Sequence, residues 1–153
     1  MQSRMSRVLV AGLCAVVLCL SGCSLVGADE IQFSDLQRQT REFMGWYETI
    51  KLTPQQEAVK KTALEAMPAP CCSEYSAYTC CCECNISRTI WGLSNYMIAK
   101  QGASAAQVTA KVKEWISFVN PKGFQGQACS TGGCPRPFKH GGCGGMNPGS
   151  VAF

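Results

Sequence analysis

The sequence predicts a small all-α domain: a bundle of about four helices, interrupted by a cysteine-rich loop and followed by an irregular tail rich in glycine, proline and cysteine. Three observations carry this reading. Four segments between Phe33 and Asn120 repeat apolar residues at helical spacing. Helix-starting side chains precede three of these segments. The connections are short apart from the cysteine loop, and four apolar stripes are most simply buried against one another.

Ser34, with Gln37 three residues on, predicts a capping box for the first helix, whose apolar face is Phe33, Leu36, Phe43, Met44, Tyr47 and Ile50. Thr53-Pro54-Gln55-Gln56 predicts the start of the second, with a cap, a proline at the first position and a glutamine at the third. Ala58, Val59, Ala63, Leu64 and Met67 continue it, and Pro68-Ala69-Pro70 ends it because proline cannot extend the hydrogen-bond ladder. A cysteine-dense loop spans 71–84. The third helix is expected from about Ser87 to Gln101, burying Ile86, Ile90, Leu93, Met97 and Ile98 with Trp91 at the flank, and Gly102 suits its left-handed end. Ser104 and Gln107 open the fourth helix, with Val108, Val112, Trp115, Ile116 and Val119 inward, and Asn120-Pro121 closes it. Trp46, Trp91 and Trp115 read as core anchors. Residues 33–120 thus form the bundle. Residues 121–153 have no period, too little apolar content for a core and three cysteines, so they read as an ordered wrap packed on the bundle.

The N-terminus speaks to location. Arg4 and Arg7 precede an uncharged run from Val8 to Leu20, which is shorter than the roughly 20 apolar residues a membrane span needs. Leu20-Ser21-Gly22-Cys23 follows. This resembles the lipobox of bacterial lipoproteins. The resemblance implies cleavage of a signal peptide over 1–22, acylation of Cys23 with lipid (palmitate among its chains), and a short tether over 23–32. Two or more acyl chains anchor stably. Ser24 lacks the aspartate tied to inner-membrane retention, so the expected location is the cell membrane or the outer membrane, facing periplasm or exterior. Removing Arg4 and Arg7 halves the formal charge of +4, which is too little for a nucleic-acid partner.

The chain has 12 cysteines. Cys14 and Cys19 leave with the signal and Cys23 takes the lipid. The rest are Cys71, Cys72, Cys80, Cys81, Cys82, Cys84, Cys129, Cys134 and Cys143, an odd set in a compartment where disulfides are the default. Neighbouring cysteines rarely bond each other, so the Cys80-Cys81-Cys82 run sends its sulfurs to several partners. Three readings stand. Thiolates suit soft ions, copper or zinc, with ligands drawn from Cys80, Cys82 and Cys84 and from Cys129, Cys134, Cys143 or His140 in the tail. Cys81 and Cys84 have the spacing of a thiol–disulfide pair. Disulfides that staple the tail to the loop are the structural reading, with Cys71 and Cys72 serving as staples or ligands. A loop that runs into a helix N-terminus favours the thiolate in either chemical role. His140 reads first as an exposed loop residue, and Glu74 and Glu83 as solvated charges. No hydrolase triad, phosphate loop or paired-carboxylate site is present, and a non-enzymatic role is expected.

The order of lipobox, helices, Pro70-Cys71-Cys72, Cys82-Glu83-Cys84 and Trp91-Gly92-Leu93-Ser94-Asn95-Tyr96 resembles the bacterial lipoproteins with a Pro-Cys-Tyr-Cys-Gly-Cys motif. Here the motif region reads Cys80-Cys81-Cys82-Glu83-Cys84, with no tyrosine between sulfurs. That family supplies no activity to carry over. Residues 88–119 are also similar to the helix hairpin of cytochrome c maturation thiol proteins, which implies the redox alternative.

Overall fold

In the computed structural model, residues 30–80, 82–124 and 134–153 are described. The expected signal and lipidation site, 1–22 and Cys23, lie outside them, as do Cys81 and Cys129. Four helices carry the fold: α1 (Leu36–Thr49), α2 (Pro54–Glu65), α3 (Asn85–Gln101) and α4 (Ala105–Val119). Two short strands, β1 (Pro68–Ala69) and β2 (Cys72–Ser76), stand between α2 and α3. The domain is mostly helical, as the four stripes predict. No described helix is long and apolar enough to cross a membrane.

Local chemistry sets most helix ends. Thr53 and Gln56 form the reciprocal capping box on α2, and Ser104 and Gln107 form the same box on α4. Gly102 closes α3 at φ +63°, a left-handed conformation that glycine adopts without a steric cost. The first helix differs by one residue. The Gln39 side-chain oxygen accepts from the backbone N–H groups of Ser34 and Asp35. Asp35 is left as the N-cap, accepting from the Arg38 N–H at 3.0 Å. The short sheet corrects the plain loop expected over 71–84. β1 and β2 pair antiparallel, Pro68 opposite Ser76 and Ala69 opposite Cys72, with an irregular register.

α3 is the central element. Ile86, Ile90, Leu93, Met97 and Ile98 are all buried on it, and Trp91 with them. α1 packs on α3 more extensively than any other pair of elements does. The approach is close at Gly92, where an added Cβ would collide with the Phe43 carbonyl. Trp115 of α4 is fully buried and donates its indole N–H to Thr89 Oγ1 on α3 at 2.9 Å. Its ring meets Phe33 and Phe43 at centroid distances of 5.2 and 4.8 Å. Trp46 is only half-buried and stacks on Tyr96. Lys60 is the unexpected buried residue of α2.

Residues 134–153 lie against the start of α3. This tail folds on itself through Gly145 N–H to Cys134 O, Gly144 N–H to Arg136 O and Ala152 N–H to Gly144 O. A short 3-10 turn, Phe138–His140, sinks the Phe138 ring into the core. Gly144 lies at φ +72° against that ring, and a Cβ there would strike it.

Candidate metal centre

The tail meets the bundle at the start of α3. The N–H groups of Asn85 and Ile86, left without partners inside the helix, donate to the carbonyls of Gly145 (2.9 Å) and Cys143 (3.2 Å). The Asn85 side-chain amide, fully buried, donates to the Gly144 and Asn147 carbonyls at 2.8 and 3.0 Å. The helix therefore begins at Asn85, earlier than the Ser87 expected, because its cap comes from residues distant in sequence.

Cys84 is the N-cap residue of α3, with extended backbone, and its sulfur makes no cap hydrogen bond. Cys71 lies in the turn between β1 and β2, and Cys80 in the segment leading from β2 to α3. The hairpin is fixed to α3 by the Trp91 indole N–H, which donates to the Ala77 carbonyl at 2.8 Å. Folding the hairpin back brings the sulfurs of Cys71, Cys80 and Cys84 within 4.8 Å of one another. Cys143 adjoins this group from the tail and shares hydrogen bonds with Cys71 and Cys84. Cys71, Cys84 and Cys143 are each 0% exposed, while Cys80 is half-buried. Among the described residues no disulfide joins two cysteines.

Charge is distributed unevenly over the four sulfurs. Hydrogen bonds from Cys143, then from Cys71 and Cys80, hold the Cys84 thiol far below its ordinary value, against the opposing cost of burial. Cys71 is pushed up by its bond to Cys143 first, then by those to Cys80 and Cys84, with burial adding. In Cys143 and Cys80 the bond from Cys71 lowers the pKa, but the bond to Cys84 and burial together leave both raised. Cys84, the one thiol of the four whose pKa is lowered, stands at a helix N-terminus, where the partial positive charge favours a thiolate. Ser87, one turn into α3, donates to Cys80 Sγ at 3.1 Å and lies 3.2 Å from Cys84 Sγ.

Of the candidate ligands, Cys80 and Cys84 are in the cluster and Cys71 joins them. Cys82 and Cys134 are half-buried and outside the three-sulfur group, although Cys134 is near enough to act electrostatically on Cys143. His140 is exposed and is not part of the group. Cys72 is half-buried beside the cluster's turn. Glu83 is exposed, as expected of a solvated charge, yet it accepts from Tyr47 Oη at 3.2 Å and pairs with Arg88 at 3.6 Å. Ser87 is the residue that sequence reasoning missed. Its signal was its place three residues after Cys84, where an N-cap side chain and the third helical residue meet.

A buried group of thiols that are close but not oxidised to disulfides can coordinate a soft ion without rebuilding the fold. Compared with family models, curated proteins and solved structures, the chain matches none.

Proposed function

We propose that this protein is a lipid-anchored lipoprotein of the cell envelope whose cysteine cluster binds a soft metal ion, copper or zinc. The observation that carries the metal reading is the convergence of the Cys71, Cys80 and Cys84 sulfurs within 4.8 Å. A tetrahedral centre with metal–sulfur bonds of about 2.3 Å sets ligand sulfurs about 3.8 Å apart, a spacing compatible with three sulfurs within 4.8 Å of one another. The lowered pKa of Cys84 favours its deprotonation when an ion binds. The burial of Cys84 weighs against thiol–disulfide exchange, because an external disulfide has no path to a fully buried sulfur. The lipobox supports the anchoring.

The test is elemental analysis of protein purified under reducing, oxygen-free conditions. The expected result is about one equivalent of copper or zinc, lost in Cys84→Ser. Protein with reduced thiols that takes up neither ion would sink the reading. For the anchor, Cys23→Ala is expected to move the protein from the membrane to the soluble fraction and to abolish fatty-acid labelling. Unchanged fractionation would refute it.

A further inference from the structure

We infer that Cys143 is the fourth ligand, so that the centre is a four-thiolate site for a tetrahedral divalent ion of the zinc class, and the ion is the clasp that holds residues 134–153 on the bundle. This rests on the metal reading above and goes further in naming the coordination number, the class of ion and the mechanical consequence.

Three observations converge on it. Cys143 is fully buried and interacts with two of the three clustered sulfurs, Cys71 and Cys84, while lying outside the 4.8 Å group that these form with Cys80. Its backbone is held in place independently of its sulfur, because its carbonyl accepts the Ile86 N–H and the adjacent Gly144 carbonyl accepts from Asn85. The sulfur is therefore presented by a preformed turn. The three nearer ligands come from the segment between α2 and α3, whereas Cys143 comes from the tail. A fourth sulfur from a separate segment would complete a tetrahedral set.

The donor set selects the ion. Four thiolates enclosing one buried centre match the closed tetrahedral sites that zinc occupies, whereas square-planar ions are disfavoured. Each thiol that ligates releases its proton to solvent, so four thiolates around a divalent ion leave a formal charge of −2. The α3 N-terminus and the Ser87 hydroxyl face that charge.

The tail is also attached by Phe138, Val151 and Phe153 against the core, by the α3 cap bonds and by Arg88, which donates to the Met146 carbonyl at 2.9 Å. Removing the ion should loosen 134–153 most around Cys143 while the helices persist.

The test uses the mature-length protein with Zn²⁺ alone, read in two ways. X-ray absorption at the zinc edge is expected to count four sulfurs at about 2.3 Å in the wild type. In Cys143→Ser it should count three sulfurs and one lighter atom, with affinity lower by about a hundredfold or more. Cys72→Ser, beside the cluster but outside it, should match the wild type. Hydrogen exchange on the wild type, with and without chelator, covers the case in which Cys143→Ser fails to fold. Faster exchange at Phe138 and Gly142–Gly145 on chelation, with α1 and α4 unchanged, is expected. A wild-type count of three sulfurs, or tail exchange indifferent to chelation, overturns the inference and leaves the metal reading standing. Reduced wild-type protein that binds neither Zn²⁺ nor Cu⁺ overturns both.

Discussion

The helical bundle and the sulfur-bearing part of the molecule are stabilised by different means. The bundle buries Phe43, Leu64, Ile90, Leu93, Val112 and Trp115, and the starts of α2 and α4 are satisfied by neighbouring side chains. The hairpin and tail bury few large apolar groups beyond Phe138. They are held by backbone bonds within the tail, by the cap on α3, by the bonds of Trp91 to Ala77 and of Arg88 to Met146, and by contacts among sulfurs. The bundle's stability is thus spread over many residues, and that of the sulfur region is concentrated in a few. The first should be insensitive to thiol chemistry and the second dependent on it.

The largest expected effect tests the bundle. Trp115→Ala should cost about 3–5 kcal/mol, through a large cavity and loss of the bond to Thr89. Thermal unfolding should shift by the same amount with and without metal. A shift confined to the metal-loaded protein would erase the distinction between the regions.

Asn85→Ala probes the other side. It removes both side-chain bonds to the Gly144 and Asn147 carbonyls. The cost should be about 2–3 kcal/mol, felt as faster hydrogen exchange in the tail ahead of any change in α1 or α4. Uniform loosening of all four helices would show that the tail is integral to the bundle.

Ser87→Ala should weaken metal binding about tenfold, within the usual range for a group that bonds a ligand from outside the coordination sphere. Titration with a competing chelator reads this, and melting of the metal-free protein should move little.

The smallest effect concerns Lys60, whose ammonium sits in α2 with Glu57 only 4.0 Å away. Burial lowers its pKa from the usual 10.5, with Glu57 opposing. The folded state therefore releases this proton first as pH rises. Between the folded and unfolded pKa values the unfolded chain holds more protons, so stability from this group rises with pH there. Lys60→Met should raise stability at neutral pH by about 0.5–1 kcal/mol and flatten that rise, as pH-dependent denaturant melts would show. Destabilisation would mean that the ion pair outweighs the burial cost.

The same division explains what could be read in advance. The capping boxes at Thr53 and Ser104 and the closing glycine at 102 are local chemistry, and the sequence displays them directly. The cap at Ser34 was displaced to Asp35 by Gln39, a competitor two residues beyond the box. The hairpin was hidden because Cys72-Ser73-Glu74-Tyr75-Ser76 lacks an apolar alternation, and its pairing is fixed by contact with α3 instead. In the cluster, Cys80 and Cys84 were legible as chemistry. The placement of Cys71 with them, and of Cys82 apart, depends on how the hairpin folds back, which spacing along the chain does not encode. Cys143 reaches the site through the tertiary fold, whereas the place of Ser87 three residues after Cys84 was local and could have been read.

The cap on α3 also has a consequence for timing. Asn85 and its acceptor Gly144 are 59 residues apart. The first turn of the central helix cannot be completed until the chain has been made and released as far as Gly145. Until then the carbonyl partners of Asn85 and Ile86 are missing, and Cys84 stands at a frayed helix end with its neighbours unassembled. The bundle can gather early from local contacts, whereas the thiol cluster is among the last features to form. A chain still being completed therefore carries separate cysteines, and the finished site exists only once the whole domain has folded.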